Sequence, residues 1–108
     1  MDDAVEGQLR AYNEHDADKF AECYAENVVI EDASRHVLMD GREQVRERYR
    51  SFFQKAPSVH AEVVTRIRLR SYVIDEERAT NSPSGDVHAV VIYRIGPDGL
   101  IDHVLFLG

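Results

Sequence analysis

One carboxylate and four phenols are the residues in this sequence best placed to do chemistry. Asp32 closes the run Val28-Val29-Ile30-Glu31-Asp32, whose alternation sets it on the face shared by Val28 and Ile30. A carboxylate at the inward end of an apolar strand costs several kcal/mol unless it is paired or hydrated. The position therefore calls either for a capping role in the hairpin that follows or for use as an acid–base group. Tyr12, Tyr24, Tyr49 and Tyr93 sit on apolar stripes, and a buried tyrosine keeps a hydroxyl that seeks a partner or reaches a rim.

The remaining reactive types are spread out. His60, His88 and His103 fall on separate strands with no short His or Cys spacing, so no metal site is expected. No Ser-His-Asp order, Gly-rich phosphate loop or paired-Cys motif occurs, and no cofactor is implied. Cys23, the single cysteine, lies in a helical pattern and reads as a small apolar group.

These residues must be positioned by elements that periodicity makes visible. Val5, Leu9 and Tyr12 recur at helical spacing, predicting an amphipathic helix over 3–14. His15-Asp16-Ala17-Asp18 breaks it and caps a short second helix burying Phe20, Cys23 and Tyr24. A strand over 28–32 returns through His36 to Met39. The Asp40-Gly41 turn then opens a third helix over 42–55, with Val45, Tyr49, Phe52 and Phe53 on one face and alternating charges on the other. After Pro57 the pattern switches to period two. Ala61, Val63, Thr65, Ile67 and Leu69 are expected on one face, with Arg66, Arg68 and Arg70 opposite and open to cross-strand ion pairing. Strands over 72–80, 86–95 and 100–107, separated by Asn81 to Gly85 and Gly96 to Gly99, complete a meander.

The stretch Tyr24 to Asp32, followed by Asp40-Gly41-Arg42-Glu43-Gln44-Val45-Arg46-Glu47-Arg48-Tyr49, resembles the core signature of the NTF2-like superfamily, most closely its steroid delta-isomerase-like and SnoaL-like branches. The resemblance runs over nearly the whole chain. It implies an α+β cone-shaped roll, three helices packed in a strongly curved, mixed, mostly antiparallel sheet. It also implies roles: Asp32 as general base, Tyr12 as oxyanion donor, and Tyr24 and Tyr49 hydrogen-bonded to Tyr12. The strand position where the isomerases carry a second, acidic donor is Val91 here, and Tyr93, two residues on, is the replacement candidate. The implied activity is proton transfer on an apolar carbonyl compound, a carboxylate base working against donors that meet the developing oxyanion. Phe20, Tyr24, Tyr49, Phe53, Val91, Val104 and Phe106 are the expected lining of the concave side. A cyclase or dehydratase is the rival enzyme reading, requiring His36, His60, His88 or His103 to face inward beside Asp32. A non-catalytic ligand-binding or dimerisation module is the third.

Length and composition set the outer bounds. The 108 residues, 44% hydrophobic, suffice for one domain over 1–108. A net charge of −7 disfavours nucleic acid and anionic membrane as partners. An acidic start, short apolar runs and a lone thiol suit a cytoplasmic protein. His88, Val90 and Ile92, with Leu105 and Leu107, would leave the outer sheet face apolar, so a homodimer through that face is expected.

Overall fold

The computed structural model describes residues 3–108. Helix α1 (Ala4–Asn13) is capped by Asp3, whose carboxylate accepts from the Glu6 amide at 3.0 Å. Asp16 caps α2 (Ala17–Glu22) in the same way, accepting from Lys19 N at 3.0 Å. Each cap satisfies a backbone donor that a helix leaves orphaned at its start. Strand β1 (Tyr24–Asp32) begins four residues before the apolar run, because Tyr24 already pairs with the last strand. Strand β2 (Val37–Asp40) returns beside it. Helix α3 (Arg42–Lys55) then starts at Gly41, whose φ of +96° favours glycine.

Strands β3 (His60–Leu69), β4 (Tyr72–Thr80), β5 (Val87–Ile95) and β6 (Ile101–Leu107) form the expected meander. The sheet order is β2-β1-β6-β5-β4-β3, antiparallel throughout except for β1 beside β6. The inner face packs on the helices around Val5, Phe20, Val28, Val45, Val91 and Ile101, all almost wholly buried. Among the described residues no helix is long and apolar enough to cross a membrane.

Register in β3 departs from the uninterrupted alternation. A bulge between Val63 and Thr65 reverses the faces beyond it. Ile67 and Leu69, expected inside, are therefore 54% and 61% exposed, and Arg66 turns inward opposite Asp75. The Arg66 guanidinium grips the fully buried Asp75 carboxylate with two bonds, at 2.7 and 2.8 Å, a bidentate geometry that offsets the burial of both charges. Arg66 also pairs with Glu6, and Arg68 with Asp3. Arg66 and Arg68 are thus engaged partly across strands and partly in holding α1. At the other end of α1, Asn13 exchanges two hydrogen bonds with the backbone of Ala61, at 2.9 and 2.7 Å. On the convex face the register aligns Ile67, Ile74, Ile92 and Leu105 in one apolar row.

The aromatic face of α3 divides between two environments. Phe53 packs with Ala17, Ala56 and Val59 in a small cluster and is 6% exposed; the other cluster holds the larger core, and Tyr49 packs against both. Phe53→Ala should therefore cost about 3–5 kcal/mol, the loss of a packed aromatic, measured by urea unfolding. A loss under about 1 kcal/mol would mean the ring faces open space.

Candidate functional site

Between α1, α3 and the concave face of the sheet lies a cavity of about 320 Å³, at the small end of ordinary small-molecule sites. Tyr12, Phe20, Tyr24 and Tyr49 wall it from the helical side and from the start of β1, and Val91, Tyr93, Val104 and Phe106 from the sheet. Eight of the expected lining and catalytic residues are thus brought together. Phe53 is not among them, since its ring is held in the packed cluster beside α2.

Asp32 also stands outside the lining. Its Oδ1 accepts from the amides of Ser34 at 2.9 Å and His36 at 3.0 Å, the hairpin-capping arrangement open to a short acidic side chain at a turn. The physical reason is local: Asp32 lies at the last rung of β1, where unpaired turn amides compete for the carboxylate.

The carboxylate that does line the cavity is Glu77, which the sequence hides in the run Asp75-Glu76-Glu77. On β4 period two separates the run. Val73 and Asp75 are buried and Glu77 and Ala79 half-buried on the inner face, while Glu76 turns outward to Thr65 and His88. Val73 and Ala79 at even spacing from Glu77 were the available signal. The Tyr93 hydroxyl donates to Glu77 Oε2 at 2.7 Å. Burial pushes the Glu77 carboxyl up to about 7, with the Asp75 charge adding to it; the Tyr93 hydrogen bond and Arg66 only partly offset this.

Burial, helped by the Glu77 charge, also raises the phenols. Tyr12 is pushed up to about 12, and Tyr24, Tyr49 and Tyr93 are raised as well. All four therefore remain hydrogen-bond donors at neutral pH. The expected chain of hydroxyls through Tyr12, Tyr49 and Tyr24 is absent among the described residues: the Tyr24 hydroxyl donates to Gln8 Oε1 at 3.4 Å, and Tyr12 meets Tyr49 ring edge to ring, centroids 6.3 Å apart. No protein partner for the Tyr12 or Tyr49 hydroxyl occurs among the described residues.

The histidines stay outside. His88 Nε2 lies 2.7 Å from Glu76 Oε2 and His103 Nε2 2.5 Å from Glu31 Oε2; His60 and His36 are exposed, and none of the four lines the cavity. Among the described residues no group of three or more His, Cys, Asp or Glu side chains is placed to hold a metal ion.

Comparison with known proteins agrees with this architecture. A SnoaL-like domain is recognised over residues 5–104, and the chain belongs to that family. An uncharacterised cystatin-fold protein of Novosphingobium aromaticivorans superposes with a TM-score of 0.87 at 20% identity, covering 97% of this chain and 95% of its own. SalBIII, an epoxide hydrolase/cyclase-like enzyme of pyran ring formation in the polyether salinomycin, gives 0.80 at 26% identity, covering 96% and 86%. A polyketide cyclase candidate from Sinorhizobium meliloti gives 0.79 at 21%, covering 98% and 94%. No curated protein matches the chain in sequence.

A carboxyl raised from 4.5 to about 7 has a stability consequence whose sign is fixed. Between those values the folded protein holds a proton that the unfolded chain has released, so stability is intact below about pH 4.5 and falls as pH rises towards 7, by about 3 kcal/mol in all. Glu77→Gln keeps an acceptor for Tyr93 and removes the titration. The variant should match wild type near pH 4.5 and exceed it by about 2–3 kcal/mol at pH 8 in urea unfolding. Equal differences at the two pH values would exclude a desolvated Glu77.

Proposed function

We propose that this SnoaL-like protein binds a small, largely apolar oxygenated compound and moves a proton on it, with Glu77 as the acid–base group. One observation carries the reading: a carboxyl near neutrality, hydrogen-bonded by Tyr93 and facing an apolar cavity into which the Tyr12 and Tyr49 hydroxyls are left to donate. A general base works best when its pKa lies near the working pH. The unengaged phenols supply donors for an oxyanion, whose stabilisation by fixed dipoles is often what lowers the barrier most. Isomerase-type proton transfer α to a carbonyl is thus retained, with the base moved from Asp32 to Glu77 and Tyr12 kept as donor.

Ring closure is the second reading, supported by the likeness to SalBIII. There the protonated form of Glu77 would hand a proton to an opening or receiving oxygen. The two readings differ in sign with pH: base catalysis rises through about 7 and then levels, whereas acid catalysis falls through the same value.

Exchange of the α-protons of 2-tetralone into D2O, followed by NMR, tests the first reading. Wild type should catalyse it with a rising limb near pH 7, Glu77→Gln should lower the rate by about 10²–10⁴, and Asp32→Asn should retain it. Loss in Asp32→Asn with retention in Glu77→Gln would return the base to the hairpin.

A homodimer through the convex face is proposed as well, on the exposed Val64, Ile67, Leu69 and Tyr72 beside the apolar row. Sedimentation should return twice the chain mass, and Ile67→Lys should return the monomer. A cytoplasmic location is proposed on the single thiol, which a reducing compartment keeps free.

A further inference from the structure

The inner face of β4 runs from a sealed end to an open one. Asp75 is fully buried under Arg66, Glu77 and Ala79 are half-buried, and the β4–β5 turn carries Ser82, half-buried, and Ser84, exposed. Both serines line the cavity, as does the exposed Arg48 of α3. Arg48 and Ser84 are the exposed residues of the lining, so hydroxyls and a guanidinium edge the opening.

Arg48 differs from its neighbours on the helix. Arg46 and Arg50 are bound to the Asp18 carboxylate at 2.8 and 3.1 Å, and Arg50 to Glu47 at 3.0 Å. Arg48 instead donates from Nη2 to the Leu38 carbonyl at 3.2 Å, and among the described residues it has no carboxylate partner. That bond fixes the fork on the rim while leaving its other N–H groups and its full charge without a counterion. The charge reaches the cavity, since it opposes the upward shift of the Tyr49 phenol. Ser82 and Ser84, whose hydroxyls lie 3.2 Å apart, line the same cavity.

We infer that Arg48, with Ser82 and Ser84, is a specificity site for an anionic end of the ligand, so that the compound taken is an apolar ketone or related oxygen compound carrying a carboxylate some way from its reacting carbon. Three strand residues separate Glu77 from Asn81 at the start of the turn, so four rises, about 13 Å, set the spacing. The inference rests on the acid–base reading only for which end of the ligand reacts.

The test uses two probes of one shape, 6-oxo-6-phenylhexanoate and its uncharged amide, titrated against the full chain by calorimetry at about 50 mM salt, where rim charges are weakly screened. Wild type should bind the carboxylate about three- to tenfold more tightly, the range between an exposed ion pair and a charge-assisted one. Arg48→Gln should equalise the two, and Arg48→Lys should keep part of the preference by charge without the fork. Because Arg48 is exposed, both variants should melt as wild type does. In Glu77→Gln the preference should persist, so loss of 2-tetralone exchange and loss of carboxylate preference fail separately. Equal binding by wild type, a preference surviving Arg48→Gln, or no saturable binding of either probe would overturn the inference.

Discussion

Two inward carboxylates on one strand, with one arginine between them, set the character of this molecule. Asp75 and Glu77 project from the same face of β4 into the packed interior. Arg66 reaches Asp75 with both arms and is also engaged by Glu6. What is left for Glu77 is a phenol. A hydroxyl can donate one hydrogen bond but cannot neutralise a charge, so burial dominates and the carboxyl is held near neutrality. The same guanidinium ties α1 to the sheet, so the segment that supplies Tyr12 is held by the group that satisfies Asp75 and only partly offsets the burial of Glu77.

That arrangement depends on one extra residue in β3. Were the alternation unbroken, Arg66 would face solvent and Asp75 would be buried without a cation, a loss of several kcal/mol. The bulge between Val63 and Thr65 turns the arginine in and Ile67 and Leu69 out. It thereby gives up apolar burial in this chain for an ion pair in the core and an oily convex surface. Hydrophobic patterning prefers Ile67 inside, and nothing within β3 announces the slip; only the need of Asp75, a strand away, decides it.

The helices and turns were legible for the opposite reason, that their signals are local. The cap at Asp16, the glycine at 41 and the 3.6 period of Val45, Tyr49 and Phe53 act within a few residues and are not contested by distant partners. The phenols of the site were legible on the same ground, through their stripes. The carboxylate was not. Asp32 is conspicuous because it follows an apolar run, yet turn amides two and four residues away claim it. Glu77 is inconspicuous because its neighbour Glu76 makes the run look like a solvated face. Only the pleat, fixed by Val73 and Ala79, separates a cavity-lining glutamate from a surface one. Likewise Phe53 and Tyr49, one turn apart on α3, look equivalent until Ala56 and Val59 close over the first.

On the proposed reading the rim lets a strongly acidic chain select an anion. With a formal charge of −7, its field at long range disfavours an approaching carboxylate, but at physiological ionic strength that field is screened beyond about 8 Å. Arg48 acts inside that distance, where the contact depends on the guanidinium in front of the ligand and not on the net charge behind it. The absence of a carboxylate partner for Arg48 among the described residues is what leaves this attraction available, because a paired arginine at the mouth would present no net charge. Selection of this kind should show in dissociation rather than in association, since steering belongs to the whole-protein field and holding belongs to the local pair. On the proposed reading the apolar walls hold the body of the compound, and the desolvated glutamate beyond them meets whichever carbon the anchored end presents.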